Sequence, residues 1–348
     1  MRFASDNSGP VHSKIMAALA SANEGWAMPY GNDDLTRRAA DRVREVFEAP
    51  AAAVYFVATG TAANAIALAT ITKPWETIFC HRVAHIHEDE CNGPEFYTGG
   101  AKLTLVEGHT DRMTPEALRA AIEGEGQRGV HGPQRGPVSI TSVTERGTLY
   151  TLDEIRALTD VARDHDLKVH LDGARFANAC AALDCTAAEM SWKAGVDVVS
   201  FGGTKNGCMG VEAVIFFDPD HAWEFELRRK RGAHLFSKSR FLAAQMDAYL
   251  TDDLWLSLAR SANDSATALA NRLRDIPGVS FLFEPQANMV FPVLPAAAHR
   301  RLHDAGAMYY LWDGSLEDGV DEDIGARLVV DWSCGPENID RFIDLVRG

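Results

Sequence analysis

The chain lacks any Cys-x-x-Cys pair. Its six cysteines (80, 91, 180, 185, 208 and 334) follow no framework spacing. That excludes a disulfide scaffold and predicts reduced thiols in a cytoplasmic protein. No run approaches the ~18 uninterrupted apolar residues of a membrane span, and Met1-Arg2-Phe3-Ala4-Ser5-Asp6-Asn7 contains no apolar signal core. Positive charge is scarce: 34 Lys+Arg against 49 Asp+Glu leave a formal net charge of −15. There is thus no basic excess to neutralise nucleic-acid phosphates. One local exception, Arg228-Arg229-Lys230-Arg231 with Lys238 and Arg240, reads as a solvated helix face or a small anion site. Both Gly-x-x-x-x-Gly-Lys-Ser/Thr and Gly-x-Gly-x-x-Gly are missing, which argues against nucleotide and dinucleotide binding. The stretch His85-Ile86-His87-Glu88-Asp89-Glu90-Cys91 does not have His-Glu-x-x-His spacing, so no metal is assigned. It reads either as a satisfied surface loop or as an imidazole stacked on a flat cofactor ring and able to move a proton.

What the chain does have is an ordinary globular composition, 46% hydrophobic and 24% charged, over 348 residues, long for one core. Strand-like runs at 54–58, 77–80, 102–106, 138–143, 167–171, 196–201 and 211–217 alternate with helical patterns at 62–71, 115–123, 152–165 and 187–194. This rhythm predicts an α/β fold, a mostly parallel sheet between helices. Residues 221–275 look almost wholly helical. Beyond them come strands at 279–283, 289–293, 308–311 and 327–332 and helices at 296–305 and 336–346, a smaller α+β domain. The expected division is an N-terminal arm over 1–20, a large domain over 21–245 and a small C-terminal domain over 246–348. Residues 124–136 read as an exposed loop. There is no internal repeat or low-complexity linker.

Two residues point to the chemistry. Lys205 lies in Phe201-Gly202-Gly203-Thr204-Lys205-Asn206-Gly207, just past a buried strand, and Asp172 ends the strand before it. An amine and an acid at successive strand ends suit pyridoxal phosphate: the amine forms a Schiff base with the aldehyde, and the acid keeps the ring nitrogen protonated. Glycines beside the lysine would bring backbone close and desolvate the amine, favouring its neutral, nucleophilic form. Thr59-Gly60-Thr61 runs from a strand straight into a helix, an anion cradle of free N–H groups and hydroxyls. Thr204 could add a hydroxyl to the same phosphate. Arg175 reads as a helix arginine or as a fork for a substrate carboxylate.

Taken together, these motifs resemble the low-specificity L-threonine aldolases and their phenylserine-cleaving relatives, fold type I enzymes that use pyridoxal phosphate. The resemblance is carried by Phe3 to Asn7, Tyr30-Gly31-Asn32-Asp33, Gly60-Thr61-Ala62-Ala63-Asn64, Ala84-His85, Glu90-Cys91, Pro94-Glu95-Phe96, Asp172-Gly173-Ala174-Arg175-Phe176, Trp192 to Asp197 and Phe201 to Gly207. It implies that Lys205 is the Schiff-base lysine, that Asp172 pairs with the ring nitrogen, that His85 stacks on the ring, and that Gly60 and Thr61 hold the phosphate. Arg175 and Arg327 would bind the amino-acid carboxylate with help from Ser5. His131 would approach the substrate hydroxyl as a second proton-transfer candidate after His85. Tyr30 would enter from a neighbouring subunit of a homodimer or homotetramer. The implied reaction is reversible retro-aldol cleavage of L-β-hydroxy-α-amino acids to glycine and an aldehyde. Lysine and aspartate serve the cofactor, so β-elimination and transamination remain alternatives, as do a non-catalytic sensor and, more remotely, a dinucleotide enzyme. One departure from relatives is Asn92, where a glycine usually follows the cysteine.

Overall fold

The computed structural model describes residues 1–316 and 322–348. In chain order its strands begin with β1 (Ala53–Val57), β2 (Glu76–His81) and β3 (Lys102–Val106). A small hairpin, β4 (Gly108–His109) and β5 (Arg112–Met113), comes next, then β6 (Gln134–Thr141), β7 (Val169–Gly173), β8 (Val198–Gly202) and β9 (Glu212–Phe216). Seven of these form one sheet in the order β1-β9-β8-β7-β6-β2-β3. From β3 to β8 every pair is parallel; β9 runs antiparallel to both β8 and β1. Every residue of β7, β8 and β9 is buried, as expected of a sheet covered on both faces. The second sheet contains β10 (Ser280–Phe283), β11 (Met289–Pro295), β12 (Tyr310–Trp312) and β13 (Asp323–Val329). Its order is β10-β11-β13-β12, antiparallel throughout.

Two expectations shift. The helix expected over 187–194 shrinks to turns and the 3-10 turn Trp192–Ala194, which left-handed Gly195 (φ 92°) ends. The helical stretch expected over 221–275 is interrupted. Gly232 and left-handed Ala233 (φ 65°) separate the helix Ala222–Arg231 from Arg240–Leu250. The helix Leu254–Arg274, just past the division expected at residue 246, serves both cores. Leu254, Trp255, Leu258 and Ala259 pack into the core of the main sheet. Ala266, Leu269, Ala270 and Leu273 pack into the small-sheet core. Phe3 joins the latter: its N–H donates to the Met308 carbonyl at 2.7 Å, and its own carbonyl accepts from Val329 N at 2.8 Å. The arm is thereby stitched to the small domain.

Candidate active site

Ligands of open α/β sheets gather at the carboxyl ends of the strands, and the chemistry-bearing residues meet there. Asp172 lies on β7 opposite Ser200 of β8. Its Oδ1 accepts the Ala174 N–H at 3.1 Å, while Oδ2 is buried with no hydrogen-bond partner among the described residues. Beneath it His170, on the same face of the strand, bridges Ser139 on β6 (2.9 Å) and Ser200 on β8 (3.0 Å). Burial lowers the His170 imidazole to about 4, so at neutral pH it is an uncharged clamp behind the carboxylate.

Lys205 sits in the 3-10 turn Thr204–Asn206 just after β8 and is half-buried. A Cβ on Gly202 would collide with the Ala174 carbonyl, and Gly207 is left-handed (φ 98°), so the lysine turn depends on glycine at both places. Asn206 anchors it by donating to Tyr249 Oη (2.6 Å) and the Trp255 carbonyl (2.8 Å). Thr204 is already engaged: its Oγ1 accepts from Val211 N at 3.1 Å and hydrogen-bonds the Glu212 carboxylate. The hydroxyl expected at the phosphate is thus shared with these neighbours. Burial pushes Glu212 up to about 7, against the hydrogen bonds from Thr204 and Gly203.

The helix Gly60–Ile71 starts where β1 ends. Thr59 caps it, Oγ1 accepting the Ala62 N–H at 3.2 Å. The Gly60 and Thr61 N–H groups belong to the first turn, which has no intrahelical acceptors. An added Cβ at Gly60 would meet nothing within 4 Å, so the cradle opens on free space. Asn92, the departure from relatives, has φ 59° and ψ 29°. Asparagine enters that left-handed region more readily than other non-glycine residues, and the loop keeps the shape a glycine would allow.

His85 opens a four-residue helix inside a ring of carboxylates. Its Nδ1 lies 3.3 Å from Glu145 Oε1 and 3.7 Å from Asp89 Oδ2, and its Nε2 lies 3.9 Å from Glu90 Oε1. Burial alone would lower its pKa, but Glu145 and Asp172 outweigh it and raise the imidazole to about 9. Glu90 accepts from Asn64 Nδ2 at 3.0 Å; burial and Asp172 push it up to about 8. Burial would also raise Glu145, yet His85 and Arg175 hold it at about 2.

Arg175 is not a free fork. Its Nε and Nη2 grip Asp6 Oδ2 and Oδ1 at 2.7 and 3.0 Å, with side chains only 3% and 1% exposed. Asn288 Nδ2 adds 3.2 Å to the same carboxylate. The edge expected to bind a substrate carboxylate bidentately is therefore committed, because a buried guanidinium needs a counter-charge whether or not ligand is bound. Arg327 is half-buried and donates through Nη1 to the Ala4 carbonyl at 3.3 Å. Burial and the neighbouring Arg175 push its guanidinium down. Ser5 uses its Oγ to accept from Asn7 N at 3.1 Å.

Two expected residues stay away from Lys205 within one chain. His131 is exposed and precedes β6 at its amino end, where Gln134 N donates to the Trp75 carbonyl just ahead of β2. An eight-residue strand of ~3.3 Å per residue separates that edge from the site. Tyr30 lines a separate cleft of about 390 Å³ with Tyr55, Arg229 and Ser239; Lys230 Nζ lies 4.8 Å over its ring. In the basic run, Arg228 pairs with Glu224 and Arg229 with Glu226. Glu145, Glu90, Asp6 and Glu212 escaped the sequence reading. Glu212 carried a signal, an acid inside the apolar run Val211 to Phe217. Glu145 carried another, an acid just past the carboxyl end of a buried parallel strand.

The residues fit pyridoxal phosphate. A buried, partnerless carboxylate oxygen calls for a charged N–H donor, a lysine turn stands beside it, and a helix start offers an anion cradle. The profile of the beta-eliminating lyase family matches residues 2–296. The chain is 41% identical to the low specificity L-threonine aldolase of Pseudomonas aeruginosa, covering 99% of this chain and 96% of that one. It is 40% identical to the enzyme of the same name from a Pseudomonas species, over 95% and 92%. Among solved structures, Leishmania major threonine aldolase superposes with a TM-score of 0.92 at 26% identity, over 99% and 98% of the chains. Serine palmitoyltransferase of Sphingomonas wittichii shares the fold at 0.71 and 15%, over 100% and 86%.

Proposed function

The chain belongs to the beta-eliminating lyase family, and on that premise we propose that it is a pyridoxal-phosphate-dependent L-threonine aldolase. It cleaves L-threonine, L-allo-threonine and related L-β-hydroxy-α-amino acids, phenylserine included, to glycine and an aldehyde, reversibly. One observation carries the reading: Asp172, with its partnerless Oδ2, stands among the interacting charges of Lys205, His85, Arg175 and Arg327 at the strand ends.

When bound, pyridoxal phosphate supplies the electron sink for the bond pair released as Cα and Cβ separate. Lys205 Nζ would hold its aldehyde carbon, Asp172 Oδ2 its ring-nitrogen proton, and His85 one face of its ring. Thr59, Gly60 and Thr61 would hold the phosphate at the positive end of their helix. Arg327 takes the substrate carboxylate, with Ser5 beside it on the arm and Arg175 contributing the Nη1 that Asp6 leaves over. Fixing the carboxylate decides which bond at Cα is aligned to break. In its uncharged fraction His85 takes the β-hydroxyl proton in cleavage, and in the protonated form that the surrounding carboxylates favour it returns a proton to the aldehyde oxygen in synthesis. A positioned proton carrier of this kind contributes ~10²–10⁴-fold. Tyr30 and His131 act, on this reading, only across a subunit boundary. Support for a cytoplasmic homodimer or homotetramer comes from six unpaired thiols and the exposed Trp26, Met28 and Phe236 near Tyr30 in sequence or contact. Among the described residues no helix is long and apolar enough to cross a membrane.

The test is to incubate the purified protein with pyridoxal phosphate and a panel of β-hydroxy amino acids and quantify glycine. Glycine equimolar with aldehyde is expected; a 2-oxo acid without glycine would identify β-elimination and overturn the assignment. Lys205→Ala should lose both turnover and the visible absorbance band of the loaded protein.

A further inference from the structure

We propose that Glu145 is a positioning residue for this reaction: its carboxylate faces the otherwise unpartnered His85 Nδ1 at 3.3 Å and orients the ring that exchanges a proton with the substrate oxygen. The proposal rests on the functional reading above. Three carboxylates surround the imidazole within 4 Å, and geometry separates them. Glu145 is the nearest at 3.3 Å and its side chain is 16% exposed, whereas Asp89, at 3.7 Å, is 59% exposed. Water screens the exposed charge far more than the sheltered one. Glu90, at 3.9 Å, faces the other nitrogen and already accepts from Asn64.

Glu145 is also rigidly held. It lies in a closed turn after β6 in which Thr144 N donates to the Thr148 carbonyl (3.0 Å) and Gly147 N to the Thr144 carbonyl (3.0 Å). Thr144 Oγ1 donates to Asp111 Oδ2 at 2.7 Å. Gly147 is left-handed (φ 78°), and an added Cβ there would stand 2.9 Å from Met289 Cβ. Only glycine allows the turn to seat against the small sheet.

Electrostatics separates the three further. Glu145 faces His85, Arg175, Lys205 and Arg327, and remains ionised. Glu90 faces Asp172 as well as His85 and Lys205, and burial keeps it protonated at neutral pH. The charges acting on His85 are thus Glu145, Asp89 and Asp172 against Lys205. Two carboxyls pushed apart in this way take different roles around one imidazole: Glu145 is the charged partner and Glu90 the neutral neighbour.

The experiment uses pyridoxal-phosphate-loaded protein with isotopically labelled histidine. Of the twelve histidines, the His85 resonance is the one lost in His85→Asn. In Glu145→Gln, which keeps the shape and removes the charge, that resonance should titrate about 1–3 pH units lower. The matching limb of the kcat/KM profile should move down with it, while Glu145→Asp moves less. Should the glutamine variant fail to fold, the aspartate variant carries the test by its smaller downward shift. A His85 titration unchanged from wild type, with an unchanged pH profile, overturns the proposal. The titration needs no turnover, so wild-type protein that makes no glycine would refute the functional reading separately.

Discussion

Arg175 and Asp6 are joined by two hydrogen bonds in a nearly water-free setting, and removing one partner strands the other. Asp6→Asn should cost about 3–5 kcal/mol at neutral pH, read as a lowered denaturation midpoint. Burial would raise the Asp6 pKa, but Arg175, Lys205 and Asn288 lower it. A depressed carboxylate contributes stability that is fully present above its unfolded value of 3.8 and is lost as pH falls through the folded value. The wild type should therefore show an acid-side loss of stability that Asp6→Asn lacks; parallel pH–stability curves would contradict the assignment. Arg175 was legible as a functional arginine, yet its partner was not. Asp6 stands 169 positions away, and no local pattern couples them.

Helix starts and strand ends carry the next layer of design. Thr59, two residues past the end of β1, caps the helix Gly60–Ile71. Thr59→Ala should destabilise by about 0.5–2 kcal/mol through the lost cap and weaken pyridoxal-phosphate affinity, measured by absorbance titration. Loss of stability with unchanged cofactor affinity would remove Thr59 from the phosphate cradle. Strand β6 shows how element geometry reorders a motif reading. His131 at its amino end was expected, from the resemblance, to approach the substrate hydroxyl, while Glu145 beyond its carboxyl end was not singled out. The parallel register with β2 and β7 puts only the carboxyl end beside Asp172.

At the scale of the whole molecule, the arm connects the two domains across the cleft. Phe3 is fully buried in the small-domain core, while three residues later Asp6 holds Arg175 of the large domain. Phe3→Ala should cost about 3–5 kcal/mol from the emptied core site. By loosening the arm it should also raise KM for amino acids more than it lowers kcat. A stability loss with KM unchanged would show that the arm's grip on Arg175 survives without its anchor.

The alternation of apolar runs with helical patterns was enough to determine a mostly parallel α/β sheet, and the strand-end lysine and aspartate were enough to determine the cofactor. Both are local: a period of burial, a glycine turn, an acid ending a buried strand. What only the tertiary structure decided is how charge is distributed in the cleft. Asp6 occupies the fork of Arg175, Glu212 engages Thr204, and Glu145 rather than His131 stands at His85. The first and last of those pairings join segments far apart in the chain, and each is chosen by burial, which makes an unpartnered charge too costly to leave alone.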